Sequence, residues 1–113
     1  MNDILSFLDD YVRNNNPDEI AKVIAADFRR RRIEKGLTRE QIASKSAVAV
    51  SNIVRFEQKG LISLKNLIAI AITLGYNAEV KSIFATPKYS TIEELTQIRR
   101  NAGKKRAHRH DQD

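Results

Sequence analysis

Three features of this 113-residue sequence predict an all-α fold. Apolar residues recur at spacings of three and four along most of the chain, and no segment alternates with the period of two that a half-buried strand shows. Helix-starting residues (Pro17, Thr38, Ser63, Thr91) and helix-stopping glycines (Gly36, Gly60, Gly75) punctuate those runs. The chain has no cysteine, so its fold must rest on an apolar core rather than on disulfides or thiolate-bound metal.

The elements follow in order. Ile4, Leu5, Leu8, Tyr11 and Val12 repeat at helical spacing, so residues 3–13 form a short amphipathic helix. Asn14, Asn15 and Asn16 break it. Pro17 then suits the first turn of a second helix, where its missing N–H costs nothing. Ile20, Val23, Ile24 and Phe28 line one face of that helix, which should run to about Lys35 and stop at Gly36. Thr38 and Gln41 have the spacing of a capping box and open a third helix with Ile42 and Ala43 inward. The chain must turn near Ser46 and Ala47. Ile53 and Phe56 define a fourth helix ending near Gly60. Ser63 caps a fifth, residues 64–74, in which Leu64, Leu67, Ile68, Ala71 and Ile72 repeat. Asn77 can cap one or two more turns with Val80, Ile83 and Phe84 inward. Pro87 breaks the chain, and Thr91 with Glu94 makes a second capping box for a last helix carrying Ile92, Leu95 and Ile98. Apolar periodicity ends at Arg99, so a disordered tail is expected beyond it. The expected organisation is an N-terminal amphipathic helix over residues 1–16, a helical domain with one core over 17–86, and a short helix with a basic tail over 87–113.

Charge is unevenly spread. The net charge is +6, yet residues 1–20 hold five acids and one arginine, residues 22–59 hold ten bases and four acids, and residues 99–110 hold six bases and no acid. A basic middle and a basic tail fit a polyanion partner; they equally fit a solvated surface with a basic end.

Gly36, Leu37, Thr38, Arg39, Glu40, Gln41, Ile42 and Ala43, followed by Val48, Ile53, Phe56 and Glu57, resemble the XRE/Cro/cI helix-turn-helix family over roughly residues 20–85. The resemblance implies a compact five-helix, lambda-repressor-like domain, here with an extra N-terminal helix and a C-terminal helix plus basic tail. Each required residue has a physical reason. Two helices that cross steeply need a small side chain where they approach, and Ala43 supplies it. Ile42, Val48, Ile53 and Phe56 bury the inner face of the pair, at about 1.5–3 kcal/mol each. The outer face of the second helix of the pair is then free to enter the major groove. Three positions depart from the family pattern: Ala47 stands where glycine is usual, Ala49 where a polar N-cap is usual, and Ser46 where an apolar residue is usual. The missing cap costs about 1 kcal/mol.

By that resemblance Val50, Ser51 and Arg55 contact base edges. Arg55 can bond guanine O6 and N7 in bidentate fashion, or it neutralises a phosphate; Val50 can meet a thymine methyl; Ser51 can bond a base or a phosphate. Thr38, Arg39 and Asn52 resemble phosphate-contacting positions, and Lys45 and Lys59 either lie near phosphates or are solvated. Arg29, Arg30, Arg31 and Arg32 point around a whole helix circumference, so they cannot all face one ligand. Family resemblance pairs Arg32 with Glu57 as a structural ion pair that clamps the second helix to the end of the recognition helix.

Residues 61–106 resemble the HipB-like antitoxins found beside HipA-type toxin kinases. The residues that carry this run from Phe56 through Gln58, Lys59, Gly60, Leu61, Ile62 and Ser63 to Leu64, then Leu67, Ala71, Leu74, Gly75, Lys104, Lys105 and Arg106. The resemblance implies a HipA-like kinase partner and a repressor of its own operon. The acidic, apolar N-terminal helix either packs on a dimer mate or partner or folds back on the core. The basic tail either attracts phosphates or docks on an acidic partner.

An enzyme is not expected. The four glycines stand singly, with no Gly-rich phosphate loop, and both histidines lie in the tail. His108 and His110 form a lone H-x-H pair, a poor metal site, so neither metal nor cofactor is expected. No segment approaches the roughly 20 apolar residues of a membrane span, and residues 1–10 carry no base, unlike a secretory signal. The expectation is a cytoplasmic, homodimeric repressor bound to double-stranded DNA. A single motif on a short chain reads too few base pairs alone, so a palindrome with half-sites about 10 bp apart, or a multiple of that, follows. The contrasting expectation is a protein–protein adaptor or kinase-binding antitoxin that keeps the fold but reads little DNA.

Overall fold

The computed structural model describes the backbone of residues 2–108 and the side chains of residues 3–104. Seven α-helices and no strand occur among the described residues: α1 (Asn2–Asn15), α2 (Pro17–Glu34), α3 (Arg39–Ser46), α4 (Val50–Lys59), α5 (Leu64–Thr73), α6 (Asn77–Lys81) and α7 (Ile92–His108). Two compact units divide the chain, residues 1–80 and 81–113.

Caps set the helix boundaries in the first unit. Asn16 accepts hydrogen bonds from the backbone N–H groups of Asp18 and Glu19, satisfying two donors that α2 leaves open, and Pro17 needs none. Thr38 and Gln41 close a reciprocal capping box at the start of α3. Ser63 accepts from the N–H of Asn66 and opens α5. At the far end of α5, Lys35 reaches from the end of α2 to donate to the Leu74 carbonyl at 3.0 Å.

The core is built from Ala25 and Phe28 of α2, Ile42 of α3, Val48 in the turn, Ile53 and Phe56 of α4, and Ile70 and Leu74 from α5 and its cap. The rings of Phe28 and Phe56 meet edge to face, with centroids 5.6 Å apart, a geometry worth about 0.5–1.5 kcal/mol beyond the area it buries. Gly60, at φ +71°, lets α4 end against α2. A Cβ there would lie 3.1 Å from the Ala21 carbonyl carbon and the Lys22 nitrogen.

Several expected inward faces are turned outward. Phe28 is buried, but Ile20, Val23 and Ile24 are exposed, because the line of α2 that meets the core runs through Ala25, Phe28 and Arg32. In α5 the inward line is Leu67, Ile70, Ala71 and Leu74; Leu64 and Ile72 are exposed. That helix is apolar nearly all round, so its spacing alone did not select a face. In the second unit Ile83 and Phe84 are also exposed, whereas Val80, at the end of the first, is half-buried. The second capping box is half formed: Thr91 accepts from the Glu94 N–H, but the Glu94 carboxylate takes the N–H and hydroxyl of Ser90.

The tail also departs from expectation. The stretch after Arg99 is helical to His108. Arginine, alanine and lysine are strong helix formers, and Gln97 donates to Asn101 one turn on at 3.0 Å. Loss of apolar periodicity removes a packing face without removing the helix. His110, and with it the H-x-H pair, lies outside the described residues.

Candidate nucleic-acid interface

The turn between α3 and α4 brings the two helices into one unit. Ala47 adopts the left-handed conformation (φ 60°, ψ 23°) and its N–H donates to the Ala43 carbonyl. This conformation ordinarily favours glycine and costs alanine about 1–2 kcal/mol. Ser46 supports the turn: its hydroxyl accepts from the Val48 N–H at 3.2 Å. Ala49 opens α4 without any side-chain cap.

Helical geometry then divides α4 into two faces. Ile53 and Phe56 are essentially sealed, together with Ile42 of α3 and Val48. Ser51, Asn52, Arg55 and Lys59 are exposed. Residues 51, 55 and 59 follow one another at intervals of four, so they form a polar line opposite the core. Val50 is half-buried at the start of this helix, as is Val54 one turn later. Thr38 is exposed at the start of α3. Its oxygen accepts from Gln41 and its O–H remains available as a donor.

Behind this surface stands a buried carboxylate. The Glu57 side chain is 1% exposed. Arg32 grips it in bidentate fashion, Nε to Oε2 at 2.7 Å and Nη2 to Oε1 at 3.0 Å, and Arg32 Nη1 donates to the Leu37 carbonyl at 2.9 Å. Arg39, one residue into α3, donates through Nε to Oε1 at 3.0 Å. Arg29 stands farther off, Nε to Oε1 at 4.0 Å. Burial pushes the Glu57 carboxyl upward, but the hydrogen bonds and charges of Arg32 and Arg39 outweigh it and hold it below the usual carboxylate range. Arg32 is shifted upward by its hydrogen bond to Glu57, against the opposing effect of burial.

Sequence reasoning singled out Arg32 with Glu57, and it placed Arg39 with the phosphate-contacting positions. It did not foresee that Arg39 and Arg29 share the same carboxylate. The available signal for Arg29 was its place three residues before Arg32 on one helix face. The signal for Arg39 lay only in the crossing of α3 and α4. One acid among three arginines leaves this cluster with a surplus of two positive charges. Both terminal amines of Arg39 lack a protein partner among the described residues, and its side chain is 34% exposed.

Residues 28–80 match the helix-turn-helix family model. The matched segment begins at Phe28 in α2, contains the whole of α3 and α4, and ends in α6. The matched segment, just under half of the chain, is similar to XRE-type helix-turn-helix domains, a DNA-binding type found in transcription regulators. No curated protein and no solved structure matches the chain significantly. No helix among the described residues is long and apolar enough to cross a membrane, and no group of three or more acids or histidines among them could hold a metal ion.

Proposed function

We propose that this chain is a sequence-specific transcriptional repressor that binds a palindromic operator as a homodimer, with α4 in the major groove. The observation that carries this reading is the division of α4, with Ile53 and Phe56 sealed and Ser51, Asn52, Arg55 and Lys59 open to solvent. Arg55, Ser51 and Val50 read base edges. Arg55 supplies the bidentate contact to guanine, and the half-exposed Val50 offers its methyls to thymine. Thr38, Arg39, Asn52 and Lys59 bond phosphates and fix the helix in register. Glu57 holds the Nε edge of Arg39, so the free terminal amines meet a phosphate in one preset orientation. Ordering that long side chain in advance lowers the entropy lost on binding.

The HipB-like stretch over residues 61–106 further supports an autoregulatory antitoxin whose partner is a HipA-like kinase, working in the cytoplasm without a cofactor. Co-purification from the native operon tests the kinase, and sequencing of the bound DNA yields the operator. Arg55→Ala is expected to weaken operator binding about 10- to 100-fold and to relax the preference at one base pair. Arg39→Ala is expected to weaken binding to all sequences alike and to reduce the slope of log affinity against log salt by about 1. An unchanged base preference in Arg55→Ala refutes its role as a base reader. Affinity independent of salt refutes DNA binding altogether and favours an adaptor.

A further inference from the structure

The N-terminal helix has an apolar face that nothing in the first unit covers. On α1, Ile4, Leu5, Phe7, Leu8, Tyr11 and Val12 are all 51–68% exposed. At 3.6 residues per turn they fall within an arc of roughly 160°. Of these six, only Val12 also lines the cleft of about 820 Å³ between α1 and α2, where Ile20, Val23 and Ile24, 41–59% exposed, stand beside Asp9, Asp10, Arg13 and Glu19.

We infer that this α1–α2 face is the homodimer interface, packing against the same face of a second copy. The inference rests on the dimeric-repressor reading and assigns it a surface. Area is the first argument. A fully exposed aliphatic side chain offers about 100 Å² of apolar surface and an aromatic one about 150–200 Å². At the observed exposures the nine side chains leave on the order of 600 Å² open, the upper end of what a monomer tolerates as one patch. Interface cores are roughly 65% apolar, so such a patch with its polar rim corresponds to about 900 Å² per copy. A stable two-fold dimer needs about 800 Å² per copy.

Helix polarity is the second argument. Arg13, the only base in α1, is paired within the helix to Asp9 at 3.3 Å and lies opposite the apolar stripe, so it stays clear of the seam. Antiparallel pairing of two α1 helices about Leu8 places helix ends of opposite partial charge side by side. A face whose complement is itself gives an isologous contact, and two helical hairpins meeting this way form a four-helix bundle. Helix length points the same way, since a 14-residue helix with an uncovered stripe is marginal in water.

Light scattering on the full-length chain tests the assignment. The wild type should show twice the chain mass at micromolar concentration. Leu8→Glu/Tyr11→Glu should show the monomer mass, its dimer dissociation constant raised at least about 100-fold, with a cooperative thermal melt retained because both side chains lie outside the core. Leu61→Glu/Leu64→Glu alters exposed apolar residues elsewhere on the first unit and should remain dimeric. A dimeric Leu8/Tyr11 variant, or a monomeric Leu61/Leu64 variant, overturns the surface while leaving the dimeric repressor standing. A wild type that stays monomeric on operator DNA overturns the dimer reading itself. A wild-type monomer that associates only with a kinase partner assigns the face to that partner and overturns the inference.

Discussion

Removing the Glu57 carboxylate should be among the most destabilising single changes in the protein. Arg32 is 7% exposed and spends Nε and Nη2 on Glu57, keeping only the Leu37 carbonyl for Nη1. Glu57→Ala therefore strands a buried guanidinium with two of its hydrogen bonds gone. Breaking a buried pair in this way costs about 3–5 kcal/mol, a large share of the roughly 5–15 kcal/mol that holds a domain folded. Urea denaturation followed by circular dichroism measures the loss directly, and a thermal melt should fall on the order of 15–30 °C. The cost should be asymmetric. Arg32→Met leaves Glu57 with Arg39 at 3.0 Å and Arg29 at 4.0 Å, so it should cost less, about 2–3 kcal/mol. Arg32→Met/Glu57→Leu should recover part of the loss, because no uncompensated charge remains buried at that position. A Glu57→Ala loss below about 1 kcal/mol, or strictly additive costs in the double variant, would refute the claim that the pair is coupled in a water-poor site.

The same carboxyl gives stability a pH dependence. Its proton is bound more weakly in the fold than in the unfolded chain, where the ordinary value is about 4.3. The stabilisation is therefore complete above about pH 5 and lost as the pH falls through the lower folded-state value. Urea midpoints measured from pH 6 to pH 3 should drop in the wild type and flatten in Glu57→Gln. Gly60→Ala should destabilise by about 1–3 kcal/mol, since it puts a Cβ 3.1 Å from the α2 backbone at a positive φ; a melt within 2 °C of wild type (about half a kcal/mol) would contradict this. Ala49→Ser should stabilise by about 1 kcal/mol by supplying the cap that α4 lacks, as read from the urea midpoint.

Local chemistry was legible in the residues themselves. Pro17 marks a helix start because it needs no N–H partner, and Thr38 with Gln41 and Ser63 do so because a short polar side chain satisfies N–H groups about three residues away; Asn16, read only as part of a helix break, is the N-cap of α2. The inward set Ile42, Val48, Ile53 and Phe56 was legible for a related reason: α3 and α4 are polar on their outer sides, so only one orientation buries apolar surface. Where a helix offers more than one apolar line, spacing could not choose between them. Ile20, Val23 and Ile24 on α2 compete with Ala25 and Phe28, and Leu64 and Ile72 on α5 compete with Ile70 and Leu74. The crossing of neighbouring helices decides which line is covered, and that crossing depends on residues far apart in the chain. Arg39 and Arg29 joined the buried carboxylate for the same reason. Helix starts and the polar face of α4 were thus determined by sequence, through interactions spanning a few residues. The choice of buried line and the sharing of Glu57 by three arginines arose only when α2, α3 and α4 packed together, because burial and charge pairing act through space.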